Sequence, residues 1–282
     1  MKLKNAGSEI YVPDNMNIGD AVRRTTHMAI SAHQDDIEIM AYDGIGRCFG
    51  REDLWFMAAV VTNGAGSPRN GLYADFTDER MREIRKTEQK KAAFVGDYSA
   101  LALLDYSSAD VKDPGNTDVS KEIKELVLAA KPRVIYTHNL ADKHDTHVGT
   151  ALNVIRALRM LPEEALPEKV YGCEVWRNLD WVMDDEKVAF DVSDHPNIAA
   201  ALVGVFDSQI CGGKRYDLAT YGRRTQNATY FASHGTDGAD ALSYAMDLTP
   251  LILDKDLDIE TYVTGYIDRF KADVRDRLLR LK

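Results

Sequence analysis

Leu54-Trp55-Phe56-Met57-Ala58-Ala59-Val60-Val61 is an unbroken apolar run, and it restricts the fold more than any other stretch. A strand with one wet face alternates apolar and polar residues. A run without alternation belongs in a sheet covered on both sides, the usual setting of parallel strands. Parallel strands need long crossovers, and the flanking sequence supplies them. His27–Ser31, Leu101–Leu104 and Arg133–His138 read as further strands. Between them, helical patterns run from Ile37 to about Phe49, Asp78 to Val95, Ser120 to Ala130 and Thr146 to Leu161. The third of these places Ile123, Leu126, Val127 and Ala130 on one stripe, and Pro132 ends it. Strands alternating with helices predict an α/β fold: a Rossmann-like, mostly parallel sheet flanked by helices, with its active site at the carboxyl edge of the strands.

The rest of the chain is fitted around that sheet, and residues 1–282 are expected to form a single domain. Residues 1–25 show no firm period and read as an amino-terminal arm, packed on the body or on another subunit. Residues 110–116 read as loop. Val170–Trp176 and Val188–Val192 are strand candidates, and Ser193 is placed to cap a helix with Pro196 in its first turn. Residues 207–250 have no clean period and are taken as an irregular pocket or interface segment, with Arg223 and Arg224 as surface or subunit contacts. The last helix, from about Asp258 to Leu281, repeats Ile259, Tyr262, Val263, Tyr266, Ile267, Phe270 and Val274, a core or interface stripe.

A net charge of −10 without a long basic run disfavours nucleic acid and anionic membrane surfaces as partners. No stretch approaches the ~18 apolar residues that span a bilayer. The first residues are not followed by the apolar core of a secretory signal, so a cytoplasmic protein is expected. Cys48, Cys173 and Cys211 lie far apart and form no CxxC pair, which argues against a disulfide framework or a thiolate zinc site.

Two polar clusters stand at strand-to-helix junctions. Ala32-His33-Gln34-Asp35-Asp36 follows the first strand, and Asp142-Lys143-His144-Asp145-Thr146-His147 follows the fourth. Both junctions fall on the same edge of a parallel sheet, so the fold can bring three imidazoles and several carboxylates together. His144 and His147, three residues apart, can face one point on a first helical turn. Imidazole and carboxylate are ligands for zinc and related cations, and a catalytic site keeps one position open for water. Each cluster also has a plainer reading: His33 as a strand-end histidine bonded to backbone, Asp36 as a helix cap, Arg85 with Glu88 as a solvated helix pair, His138 as structural.

Together the clusters resemble the PIG-L/LmbE-like family of zinc-dependent N-deacetylases, which carries AHxDD after its first strand and HxxH after a later one. Ile37 followed by Glu38 resembles the bacillithiol-pathway branch. The Thr62-Asn63-Gly64 loop and the Arg85/Glu88 pair fit the same pattern, and the likeness covers roughly residues 26 to 160, with Ser208-Gln209 beyond it. The resemblance implies that His33, Asp36 and His147 hold the metal, that Asp35 is the general base, and that His144 stabilises the oxyanion. Asn63 and Arg85 are the substrate-binding candidates. Family members of this kind act on N-acetylglucosamine units of small conjugates, and some are hexamers, so a homo-oligomer is expected. Two departures stand out: Gln34 where the family often has Pro, and Asp145-Thr146 where the second motif usually reads Pro-Asp.

The chemistry of the residues agrees. Zinc lowers the pKa of bound water to about 7 and polarises a carbonyl oxygen; Asp35 can take the proton and return it to the leaving amine. His144, if protonated, would sit where negative charge develops. The expected function is removal of an N-acetyl group from an amino sugar or related small molecule. The alternatives are an amidase for another N-acyl substrate and a metal-loaded sugar-binding module without turnover. Fe2+ or another divalent ion would suit the same ligands. A nucleotide-binding site is disfavoured because the first strand ends in AHQDD and not GxGxxG.

Overall fold

A computed structural model of the chain describes residues 3–282. In chain order its first half runs β1 (Glu9–Tyr11), α1 (Ile18–Arg23), β2 (His27–Ser31), α2 (Asp36–Met40), α3 (Tyr42–Cys48), β3 (Phe56–Thr62), α4 (Asp78–Val95) and β4 (Ala100–Tyr106). Next come α5 (Ser108–Lys112), α6 (Asp118–Ala130), β5 (Val134–His138), α7 (Asp145–Arg159), β6 (Lys169–Cys173) and β7 (Val188–Asp191). The chain ends with α8 (Pro196–Gly204), α9 (Asp207–Ile210), α10 (Tyr216–Tyr230), β8 (Leu242–Asp247), α11 (Pro250–Leu253) and α12 (Ile259–Leu281).

All eight strands form one sheet in the order β1-β4-β3-β2-β5-β6-β8-β7. The five strands from β4 to β6 pair in parallel, while β1, β8 and β7 join antiparallel at the two sides. The expected mostly parallel α/β sheet is therefore present. Successive residues of β3 feed opposite cores, Met57, Ala59 and Val61 one and Phe56, Ala58 and Val60 the other. That double burial is why the run has no polar interruption. The chain moves outward from β2 through β3 to β4, then returns to β5 on the other side of β2. Such a reversal opens a crevice beyond the carboxyl ends of the two central strands. Both polar clusters begin there.

Several expectations change in detail. Within the expected arm, β1 adds to the β4 edge, and α1 buries Ala21 and Val22. The helix after β2 is broken at Ala41 (φ −115°, ψ 24°) into α2 and α3. Gly44 lets α3 lie close on the sheet, since a Cβ there would meet Tyr136 at 2.6 Å. Residues 108–112, the last three of them expected as loop, form α5, started by a capping box between Ser107 and Asp110. His195, not Ser193, is the residue before α8; Ser193 Oγ instead bonds to Asp191 and accepts from the Asp240 and Ala241 amides.

The largest correction is residues 207–250, which hold α9, α10 and β8. The inward positions of α10 are Thr220, Arg224, Asn227 and Ala228, spaced as a helix face but mostly polar. A hydrophobic period therefore fails to show them. Arg224, expected at the surface, is buried. In α12 Val263 and Tyr266 are buried, whereas Ile267, Phe270, Val274 and Leu278 stay partly or largely exposed. No helix among the described residues is long and apolar enough to cross a membrane.

Candidate metal centre

The backbone of the loop after β2 is held by side chains on either side of it and by β3. Ser31 Oγ donates to the His33 carbonyl at 3.0 Å, and Thr62 of β3 donates to the Ala32 carbonyl from its amide (2.9 Å) and its hydroxyl (2.8 Å). His33 N–H donates to Asp36 Oδ2 at 2.7 Å, so the carboxylate that closes the loop also faces its imidazole, 3.2 Å from Nδ1. Asp36 is the first residue of α2 and does not act as its cap.

The loop after β5 is held by Asp142. Its Oδ1 accepts from His144 N–H at 3.0 Å, and its Oδ2 lies 3.2 Å from His147 Nδ1. A carboxylate on one ring nitrogen aims the other and raises its basicity, the arrangement found behind metal-bound histidines. Asp142 thus supplies the orienting acid expected of the second motif, from three residues before Asp145. Asp145 is exposed in the first turn of α7. The acid lies outside the HxxH spacing, so the motif alone did not point to it.

Three donor atoms converge between the loops. His147 Nε2 is 3.2 Å from His33 Nδ1 and 3.4 Å from Asp36 Oδ2. A cation about 2.0–2.2 Å from each donor would set them roughly 3.0–3.6 Å apart, so the triangle has the right size for one ion. His138, Asp142 and His147 form a second close group. There, however, His138 Nε2 accepts the Ala32 N–H at 2.8 Å and His147 Nδ1 faces Asp142, so those lone pairs are engaged. His138 stacks on His147 with ring centroids 3.9 Å apart. Burial opposes ionisation of Asp36, yet the imidazoles of His147, His138 and His33 outweigh it and hold the carboxyl below its usual range. Burial likewise works against a charged His147, and Asp36 with Asp142 reverses it.

Asp35 is built differently. It adopts φ +87°, a conformation that costs a side-chain-bearing residue energy. Its N–H donates to Gln89 Oε1 at 3.2 Å, and its carboxylate, nearly buried, faces the cleft. The nearest cation is Arg85, with Nη2 3.6 Å away. Burial raises the Asp35 carboxyl well above its ordinary value; Arg85 pulls the other way, and Asp36, Glu38 and Glu88 add to the rise.

Arg85, a substrate-binding candidate, directs its donors at the protein: Nη2 to the Gln34 carbonyl at 2.6 Å, Nη1 to the Gly64 carbonyl and Ser67 Oγ. It lines the cleft while pinning both its loops. Glu88 receives the N–H and hydroxyl of Ser208 at 2.7 and 2.6 Å, which ties α4 to α9. Asn63 closes its own turn by accepting from Ala65 N–H at 3.1 Å; Gly64, Gly66 and Ser67 form that part of the cleft wall. Gly64 has φ +69°, and a Cβ there would strike Gln34 Oε1 at 2.3 Å. The turn requires glycine. Glu38 is fully buried and bonds to Gln89 and Tyr98 away from the cleft.

The cleft has a volume of about 440 Å³. Its floor is His33, Asp35, Asp36, His144 and His147, and its outer wall includes Trp176, Gln209, Lys214 and Tyr216. His144 stacks on His147 (centroids 4.6 Å) and lies nearly parallel to Trp176 at 6.5 Å. Burial and the neighbouring His147 push His144 below its ordinary value, which favours a neutral ring carrying one N–H. Of the wall residues beyond 160, Gln209 belongs to the Ser208-Gln209 pair noted in the sequence, whereas Trp176, Lys214 and Tyr216 had no motif to reveal them.

Residues 28–158 match the family model described as PIG-L: GlcNAc-PI de-N-acetylase, and the likeness read from the two motifs holds for that family. A search of curated protein sequences returns no match. Among solved structures, N,N'-diacetylchitobiose deacetylase from Pyrococcus horikoshii aligns with a TM-score of 0.62 and 14% identity, over 84% of this chain and 88% of its own. The conserved protein TT1542 from Thermus thermophilus aligns at 0.60 and 16%, over 83% and 99%. GalB, the 4-carboxy-2-hydroxymuconate hydratase from Pseudomonas putida, aligns at 0.62 and 15%, over 79% and 96%. Likeness at such identity shows a shared fold.

Proposed function

We propose, with the PIG-L match over residues 28–158 as the premise, that this chain is a divalent-cation-dependent N-deacetylase acting on an amino sugar of the N-acetylglucosamine type or a related small N-acyl compound. The observation that carries the reading is the triangle of His33 Nδ1, Asp36 Oδ2 and His147 Nε2 beside a carboxylate, Asp35, that is not part of it. A binding module has no use for that extra acid. Zn2+, or Fe2+ in its place, would be held by His33, Asp36 and His147 and would supply Lewis-acid polarisation of the acyl oxygen and a more acidic water.

The chain's own residues do the rest. Asp35 accepts the proton that water gives up as the new C–O bond forms at the acyl carbon. The same proton passes from Asp35 to the nitrogen as the C–N bond breaks, and acetate and a free amine result. His144 presents an N–H to the acyl oxygen as charge builds there, a contact worth roughly 3 kcal/mol in a water-poor site. Arg85 and Gln89 hold Asp35 in its unfavourable backbone conformation. Trp176 and Tyr216 offer flat apolar faces suited to a sugar ring.

The test is release of free amine from a panel of N-acetylated sugars and amino acids by protein loaded with Zn2+ or Fe2+. Chelation should abolish the activity and the metal should restore it. Metal bound with no amine released from any of them would favour the non-catalytic sugar-binding module. Amine released only from N-acylated compounds other than sugars would point to the other amidase.

A further inference from the structure

We infer that Arg224 is a positioning residue for the cation site, holding the one-turn helix that begins with Asp36; the inference rests on the reading of His33, Asp36 and His147 as ligands. The last carbonyls of any helix need donors from outside it. In α2 that need is acute, because the chain leaves helical geometry at Ala41 after five residues. The carbonyls of Glu38 and Ile39 accept from Arg224 Nη2 at 2.8 and 3.1 Å. On its other side the guanidinium lies over the ring of Tyr42, the first residue of α3, with Cζ 4.8 Å from the centroid. Tyr42 is itself anchored through its hydroxyl to the carbonyls of Asp194 and His195. Arg224 therefore fills the break between α2 and α3.

Its surroundings are unusual for an arginine. The side chain is buried and forms no salt bridge among the described residues. An unpaired cation inside a protein is costly, so what compensates it matters. Here it meets the negative end of α2 and an aromatic face. Burial pushes the guanidinium down to about 10, which still leaves it charged at neutral pH.

Because α2 is a single turn, whatever grips its carbonyl end also sets the direction of Asp36 at its start. The opposite flank is gripped by Gln89 of α4, which accepts from Asp35 N–H and donates to Glu38. The ligand helix is thus clamped between α4, inside residues 28–158, and α10, outside them.

The experiment measures Zn2+ affinity of metal-free protein by competition with a chromophoric chelator, with the melting temperature of the metal-free form in parallel. Wild type is compared with Arg224→Met, Arg224→Lys and Asn227→Ala. Asn227 lies on the same helix but bonds to Glu174 and the Leu242 carbonyl, away from α2. Arg224→Met is expected to weaken Zn2+ binding about 10- to 100-fold, the range for residues that orient metal ligands. Arg224→Lys should recover part of that loss, and Asn227→Ala should stay near wild type even where it lowers the melting temperature. Wild-type affinity in Arg224→Met, or an equal loss in Asn227→Ala, would overturn the inference. If Arg224→Met does not fold, Arg224→Lys against Asn227→Ala decides it by the same criterion. Should wild type itself bind no Zn2+, the ligand assignment fails first and this inference with it.

Discussion

The two halves of the molecule contribute to the cleft in different ways. Residues 27–159 bring every imidazole and carboxylate of its floor, each in a loop or first helical turn that follows a parallel strand. Residues 160–253 bring the segment after β6, the antiparallel β7 and β8, and the α9–α10 region; the first supplies Val175 and Trp176 to its wall, and the last Gln209, Lys214 and Tyr216. Groups that move protons must be placed to within fractions of an ångström, and a central strand end gives that placement. A wall that only has to match a ligand's shape can be built from shorter pieces. The division separates what the site does from what it does it to.

Four changes would break or sharpen this contrast. Asp35→Ala should lower kcat about 10²- to 10⁴-fold, the usual contribution of a general base, with bound metal retained. A variant with its metal and wild-type turnover would remove the chemistry from the first half. Each half also buries a carboxylate in its own manner. Asp142, despite burial, is kept ionised by His147, whereas burial raises Glu174 to about 7, with only the Arg223 and Arg224 charges, the Tyr244 amide and Asn227 opposing it. Unfolded Glu174 ionises near 4.5 and the folded group near 7, so its own contribution favours the fold most below 4.5 and is lost as pH rises between those values. The fall is of the order of 3 kcal/mol. Glu174→Gln should remove that share of the slope in denaturant titrations at several pH values, leaving the share of Glu38, which is also raised to about 7. An unchanged slope would mean that Glu174 is ionised in the fold.

Asp142→Asn should cost roughly 10- to 100-fold in metal affinity, read by chelator competition, because it frees the His147 ring to turn. Smallest is the wall. Trp176→Ala should raise KM about three- to tenfold, equivalent to an aromatic contact of ~1 kcal/mol, with kcat nearly unchanged. A fall in kcat alone would place Trp176 with the reacting groups and blur the division.

The same contrast explains what could be read before the structure. The parallel strands were visible as apolar runs, α6 and α7 by their apolar stripes, α4 as a long charged helix, and the two clusters because strand ends on one edge must be neighbours. The boundaries of α4 come out as expected, Asp78 to Val95. Asp142 escaped because it sits outside the HxxH spacing, and the α2–α3 break because Ala41 carries no signal for it. The inward face of α10 could not be found by hydrophobicity. Arg224 and Asn227 are buried by virtue of hydrogen bonds to carbonyls and carboxylates that only the folded chain brings near. Polar packing has no period that a single sequence displays.

Three separate ties are threaded on little more than one turn of α4: Arg85 pins the loops at Gln34 and Gly64, Glu88 fastens Ser208, and Gln89 meets Asp35 and Glu38. Inserting or deleting one residue upstream within this helix would rotate all three by about 100° at once. The length of α4 up to Arg85 therefore sets where two loops, α9 and the start of α2 can meet.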